Sequence, residues 1–228
     1  MAANRTQDIL TRAAVALSLT ALASAQTPNI TVVPLAKDCA GYPGYDNTTG
    51  IAGPLRLTVD STGKEYDGFR FIPKFATAVG GGSWGFMVIP TTENTTAKTD
   101  EISFRCGNDT LQAYLDMGYV GVRWQTLIAA GTPAESVFGF GLPDLPDPNY
   151  HLEPCDLLHH SHVVDGETQP VVFLGAVNVT TWGFNYQNHT ETGEYYFLRL
   201  LGPNSNNLAT GKPLNAGEFT GYVKIIAA

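Results

Sequence analysis

The sequence predicts an all-β protein, a single antiparallel β-sandwich or jelly-roll-like domain with one short helix in a connection. Apolar residues alternate with polar ones in several short runs, which is the period of a half-buried strand. Glycine and proline, 24 and 14 residues of 228, divide the chain into short segments. A hydrophobic content of 43% is enough to fill one core in a chain of this length.

Residues 1–25 are predicted to be a secretory signal peptide. Arg5 and Arg12 precede an apolar run over residues 13–23, and the run ends in Ala23-Ser24-Ala25. The run is too short to span a bilayer as a helix, and small residues at its end are typical of a cleavage site. Residues 26–228 show no linker or repeat, so we expect them to form the one domain and to be secreted to the extracellular space.

The chain is acidic, with a formal net charge of −8. Cleavage of the leader removes Arg5, Arg12 and Asp8 and leaves 11 basic against 20 acidic residues. Such a surface repels nucleic acid and anionic membranes, so we expect neither as a partner.

Six asparagines stand two positions before a threonine with no proline between, which is the signal for N-glycosylation. They are Asn29, Asn47, Asn94, Asn108, Asn178 and Asn188. A glycan is bulky and lies on the surface, so each of these positions is expected to face water. In leader, size and sequons the chain resembles the small secreted glycoproteins of filamentous fungi. This likeness is one of composition, and no motif points to a family.

Four runs show the strand period most clearly. Their apolar members are Leu55, Leu57 and Val59; Val120, Val122 and Trp124; Trp182, Phe184 and Tyr186; and Phe219, Val223 and Ile225. The turn sequence HTETG after the third run predicts a hairpin whose returning strand covers residues 194–201. We expect a break near residues 179–181, because an unbroken strand from 171 to 188 would be far longer than usual.

One segment, residues 110–117, is predicted to be helical. Leu111, Tyr114 and Leu115 would lie on one helix face, Asn108 or Asp109 would cap the start, and Gly118 follows the end.

Three cysteines in a secreted chain predict one disulfide and one remaining thiol. Cys106 ends an alternating run that begins at Ile102, which predicts a buried, unreactive thiol. Cys39 and Cys155 lie in turn-rich segments where a cross-link would stabilise irregular chain. The predicted pair is therefore Cys39 with Cys155, and the predicted thiol is Cys106.

The stretch HLEPCDLLHHSH, residues 151–162, contains four of the five histidines. In an extended segment His160 and His162 point the same way, and His151, Glu153, Asp156 or His189 could supply a third ligand. In a helix His159 and His162 would face together. Imidazole and carboxylate groups bind zinc or copper, which are the cofactors this interpretation allows. The alternative is a polar loop whose histidines bond to carbonyl groups. Neither H-E-x-x-H nor a pair of C-x-x-C motifs is present.

Two tryptophans, Trp84 and Trp182, are candidates for an aromatic platform that binds sugar rings; the alternative for Trp182 is a place in the core. Gly81-Gly82-Ser83-Trp84-Gly85 fits the G-x-S-x-G motif of esterases. Because the following residues, 86–90, read as a strand and not a helix, we expect a glycine-rich loop and no nucleophilic serine.

Three classes of function follow. The first is a non-catalytic, secreted, effector-like glycoprotein that binds an extracellular protein or a cell-wall polysaccharide. The second is an extracellular zinc- or copper-binding protein, or a metalloenzyme, that uses the histidine cluster. The third is a carbohydrate-binding or carbohydrate-active β-sandwich. The first explains the leader, the sequons and the missing catalytic motifs together, and is the expectation; no oligomeric state is predicted.

Overall fold

The structure is a computed structural model that describes residues 29–77, 83–92, 102–118, 121–132, 135–141, 153–155, 158–176, 178–189, 193–202 and 214–228. The predicted leader, Asn94 and His151 lie outside these residues. The described strands are β1 Ile30–Pro34, β2 Tyr45–Asp46, β3 Ile51–Asp60, β4 Ile72–Thr77, β5 Ser83–Pro90, β6 Phe104–Gly107, β7 Thr110–Asp116, β8 Val122–Thr132, β9 Glu135–Phe140, β10 Glu153–Cys155, β11 Leu158–Val164, β12 Glu167–Gly175, β13 Thr181–His189, β14 Gly193–Leu200 and β15 Phe219–Ala227. A 3-10 turn among the described residues covers Cys39–Gly41.

The all-β prediction is confirmed, and the sheet closes on itself. Nine antiparallel strands form a ring in the order β15, β13, β14, β5, β9, β8, β7, β6 and β3. The ring closes because β3 pairs with β15 over six residues, from Asp60 opposite Tyr222 to Leu55 opposite Ala227. The described strands thus form a barrel with added strands and do not divide clearly into the two sheets of a sandwich. The additions are β1, β11 and β12 beside β15, β2 beside β3, β4 beside β5, and β10 beside β8.

Large apolar side chains fill the inside of the ring. Trp182 and Phe184 of β13 are fully buried there, and Phe140 of β9 and Met87 of β5 are equally inaccessible. These residues belong to one continuous core, to which β3, β6, β7, β8, β14 and β15 also contribute. The alternation of each strand places one row of side chains in this core and the other on the outside of the ring.

The hairpin predicted from HTETG is confirmed as β13 and β14, which pair from Trp182 opposite Leu200 to His189 opposite Gly193. The break before β13 is also present, since Ala176 and Val179 form a bridge around a short turn. The prediction that Val122 is buried is wrong, because its side chain is 51% exposed and β8 instead turns Leu127 and Ala129 inward.

The predicted helix over residues 110–117 is wrong, because these residues form β7. Asn108 and Asp109 both have positive φ, 52° and 58°, and make the two-residue turn of a hairpin between β6 and β7. Asparagine and aspartate tolerate this left-handed conformation and favour such turns. The buried residues of β7 are Leu111, Ala113 and Leu115, which follow the period of a strand.

The predicted disulfide is also wrong, because Cys39 pairs with Cys106. Cys106 stands opposite Ala52 of β3, and the 3-10 turn that carries Cys39 packs against β3 and β2. The alternating run correctly predicts that Cys106 is buried, but its side chain bonds to Cys39 and is not a free thiol. Cys155 lies in β10 opposite Ala129; its side chain is outside the described part of the structure.

No helix in the described ranges is long and apolar enough to cross a membrane.

Replacement of Cys106 by serine should lower the free energy of unfolding by about 2–5 kcal/mol, because the disulfide closes a long loop in the unfolded chain. The sequence separation of the two cysteines is 67 residues. Denaturant unfolding measures the loss, and Cys155→Ser is the matched control, which should unfold like the wild type. Non-reduced peptide mapping that joined Cys39 to Cys155 would contradict the assignment.

Candidate functional site

The histidine stretch does not form a loop, because His159, His160 and His162 all lie in β11 and are all buried, at most 2% exposed. His159 stands opposite Leu174 and faces the core. Its ring lies 4.2 Å from the ring of Tyr42, measured between centroids, and a side chain on Gly41 would collide with its Nε2. The glycine of the 3-10 turn thus leaves the space that the imidazole fills.

His162 belongs to a different environment. Its ring stacks on Phe173 at 3.7 Å between centroids and 6° between planes, and Tyr222 meets it edge-on. Its Nε2 lies 2.8 Å from the hydroxyl oxygen of Thr180, within hydrogen-bond distance. His160 stands opposite Phe173 in the β11–β12 ladder and opposite Pro34 in β1.

These positions do not converge on a metal ion. His159 and His162 contact separate groups of residues, and no three His, Cys, Asp or Glu side chains among the described residues lie close enough to hold a metal. The proposed third ligands are not tested, because His151 and the side chain of Glu153 lie outside the described part. His159 and His162 pack against aromatic rings.

Burial lowers the pKa of His159 and of His162 to about 4, because the charged imidazolium would lose its hydration. The nearby His160 adds to the lowering at both positions, while Asp38 opposes it at His159 and Asp60 opposes it at His162. Nε2 of His159 is buried and has no hydrogen-bond partner in the structure. Both rings are therefore neutral at pH 7.

The two tryptophans have opposite locations. Trp182 is completely buried, and its indole N–H donates to the carbonyl of Leu174 at 3.0 Å, so the structure supports its place in the core and not on a platform. Trp84 points outward from β5 and is partly exposed, and its ring meets Phe86 edge-on at 5.2 Å. Ser83 begins β5, and Gly85 is required because a side chain there would collide with the carbonyl of Lys74.

The outward side of β5, β13 and β14 carries a pocket of about 340 Å³, which we call the outer groove. Its lining residues are Phe86, Asn185, Gln187, His189, Tyr195, Phe197, Arg199 and Asn215. Phe86 and Phe197 meet edge-to-face at 4.9 Å, and Trp84 extends this aromatic row. Asn185 and Gln187 stand opposite Phe197 and Tyr195 in the ladder, so amide groups and rings lie side by side.

A buried ion pair forms one end of the outer groove. Arg199 donates to both carboxylate oxygens of Glu218, from Nε at 2.9 Å and from a terminal nitrogen at 2.6 Å, and both side chains are at most 3% exposed. The backbone N–H of Asn215 donates to the same carboxylate at 2.7 Å. Gly183 allows this arrangement, because a side chain there would collide with Glu218. The charge of Arg199 is thereby neutralised at the groove.

The sequence pattern predicted β13 but not the outer groove that its polar residues line. The alternation of Trp182, Phe184 and Tyr186 predicted the apolar side of this strand. Asn185 and Gln187 lie on its other, outward side. The available signal was a pair of amides at alternate positions opposite the aromatic residues of the returning strand.

No protein-family model matches the chain, and no curated protein shows significant sequence similarity to it.

Acid should destabilise the protein through its buried histidines. The pKa of His159 falls from 6.5 to about 4 on folding, so between these values the unfolded chain binds a proton that the folded one does not. The stability that depends on the neutral form of His159 is therefore fully present above pH 6.5 and is lost as the pH falls towards 4. Melting temperatures from pH 7.5 to 4 should decrease by several degrees.

The variant His159→Leu should flatten this pH profile, because it removes one proton-binding group from the unfolded chain. The matched control is His189→Asn, since His189 is exposed in the structure and should leave the profile unchanged. An identical acid response in His159→Leu and the wild type would contradict the assignment.

Proposed function

We propose that the chain is a secreted, N-glycosylated protein that acts by binding and not by catalysis, with an extracellular carbohydrate such as a cell-wall polysaccharide as its ligand. The observation that carries this proposal is the outer groove, in which the rings of Phe86, Tyr195 and Phe197 lie beside the amides of Asn185 and Gln187. Aromatic rings contact the apolar faces of sugars, and amides both donate to and accept from hydroxyl groups.

The location of the groove also favours binding at the outer surface. Large buried apolar side chains of the described strands occupy the inside of the ring, whereas the outer groove opens on the outside. At this outer position a long polymer can lie across the strands without entering a closed cavity.

The charge of the groove favours a neutral ligand. The guanidinium of Arg199 is paired with Glu218, and the remaining polar groups that line the groove are amides, one imidazole and one phenol. Such groups form hydrogen bonds with hydroxyls without a requirement for a charged partner.

The sequons agree with a secreted glycoprotein. The five that the structure describes, Asn29, Asn47, Asn108, Asn178 and Asn188, all have exposed side chains. Asn108 and Asn178 also lie at turns with positive φ. Glycans at these exposed positions would leave the core intact. The histidine cluster lends no support to the metal-binding alternative, because its described members are buried and no group of three metal ligands is found among the described residues.

Binding to insoluble neutral polysaccharides tests the proposal. The protein should sediment with at least one of β-glucan, chitin, cellulose or mannan. Gln187→Ala should weaken this binding about tenfold, which is the loss of roughly one net hydrogen bond. Phe197→Ala should weaken it further, because it removes part of the aromatic surface.

The matched control is Tyr45→Ala, which removes an exposed tyrosine from β2, outside the groove, and should bind like the wild type. Melting curves would verify that each variant is folded. No sedimentation with any neutral polysaccharide, or wild-type binding by both groove variants, would reject the groove as the site.

Expression in a eukaryotic host tests the location separately. The protein should appear in the medium with Gln26 as its first residue, and removal of N-glycans should lower its mass by several glycan units. N-terminal sequencing and mass spectrometry give both results. A protein retained in the cell with its leader intact would contradict the proposal.

A further inference from the structure

A second surface, on the outward side of β6, β7 and β8, holds an arginine in a fixed position. The guanidinium carbon of Arg105 lies 4.1 Å from the ring centroid of Trp124, and the Nε–H of Arg105 donates to Oε1 of Gln112 at 2.8 Å. The guanidinium is thus bound both by the face of a ring and by a neutral amide.

The amide is itself oriented by the hairpin. Gln112 is 7% exposed, and its Nε2 donates to the hydroxyl of Thr110 at 3.4 Å, which donates to the carbonyl of Gly107 at 3.0 Å. A side chain on Gly107 would lie 3.3 Å from Nε of Arg105, so the glycine leaves room for the guanidinium. The chain of donors directs Oε1 of Gln112 at Arg105.

The charge of Arg105 is not neutralised by its surroundings. The ion pairs between described residues are those of Arg199 with Glu218 and of Lys224 with Asp60, and Arg105 has no carboxylate partner in the described part of the chain. Its terminal nitrogens also form no hydrogen bond with a described residue. They are the forked donors that match a carboxylate.

An exposed ring lies next to this cation. Tyr114 stands opposite Trp124 in the ladder, its ring 5.1 Å away, and it is 46% exposed. Two residues further along the same side of β7, Asp116 is exposed and its Oδ1 accepts the N–H of Gly118. The surface therefore has a cation at one end, an aromatic ring in the middle and a carboxylate acceptor at the other end.

We propose that this surface binds a uronate residue of an acidic polysaccharide. The carboxylate of the sugar accepts hydrogen bonds from the terminal nitrogens of Arg105, its ring lies on Tyr114, and a hydroxyl donates to Asp116. A uronate supplies a carboxylate for the guanidinium, a ring face for Tyr114 and hydroxyl donors for Asp116, whereas inorganic phosphate would contact the guanidinium alone. The site is independent of the outer groove, which lies on β5, β13 and β14.

Calorimetric titration with tri-galacturonic acid, and with the same trimer after full methyl esterification, tests this proposal. N-glycans are removed first, because the sequon at Asn108 lies in the same hairpin. The wild type should bind the acid and should bind the ester about tenfold more weakly or less, since the charge-assisted hydrogen bonds are lost.

Two variants remove the charge in different ways. Arg105→Gln removes the cation, and Gln112→Glu keeps the contact with Arg105 but supplies an internal carboxylate that neutralises it. Both should lose binding of the acid by about tenfold or more.

Tyr114→Ala removes the ring and should weaken binding of both the acid and the ester. The matched control is Arg123→Gln. Arg123 is an exposed arginine that precedes Trp124 in β8, and its side chain lies on the opposite side of the strand. This variant should bind the acid like the wild type.

The proposal is overturned if the wild type does not bind the acid at millimolar concentration, or binds acid and ester equally. It is also overturned if Arg105→Gln or Gln112→Glu binds like the wild type. Loss of acid binding in the groove variant Phe197→Ala, with Arg105→Gln unaffected, would move the site to the outer groove. Failure of the neutral polysaccharide tests alone would leave this site unchanged, so the two proposals fail separately.

Discussion

The pairing of β3 with β15 is the constraint on which the rest of the structure depends. Once these strands join, the sheet has an inside and an outside, and the period of two assigns every second side chain to a filled core. The same alternation that buries Trp182 and Phe184 presents Asn185 and Gln187 to solvent. The polar groups of the outer groove and of the surface around Arg105 therefore lie on the outside of the barrel.

Sequence patterns predicted the positions of the strands better than they predicted which strands pair with each other. The β13–β14 hairpin and the last strand follow from local alternation and a local turn, so a short window of sequence contains the information. Residues 110–117 were ambiguous because Leu111 and Leu115 satisfy both periods. The positive φ of Asn108 and Asp109 belongs to a hairpin turn between β6 and β7, so residues 110–116 continue as a strand. In sequence, the same two residues resemble the cap of a helix. Closure into a barrel depends on the pairing of β3 with β15, which are far apart in sequence.

The candidate sites were harder to predict because they depend on pairing between strands. The turn-rich surroundings of Cys39 and Cys155 predicted that these two cysteines pair, whereas the register of β3 with β6 places Cys106 beside the turn that holds Cys39. The histidine stretch was conspicuous by composition, yet alternation along β11 separates His159 from His162 and gives each its own aromatic partners. Neither outer surface stands out by composition, since each combines ordinary residues from three strands.

Two arginines show how the local environment determines which charges an acidic protein can use. Arg199 is buried against Glu218, so the pair contributes little net field at the outer groove. Arg105 is held by an amide and a ring, so its charge remains at the surface. The formal charge of −8 repels an anionic polymer at long range, but salt screens this repulsion beyond about 10 Å at 0.1 M. A contact of about 3 Å is screened much less. At moderate ionic strength the local arrangement around Arg105 thus determines the field close to it more than the net charge does, and the two outer surfaces differ in the charge that they present.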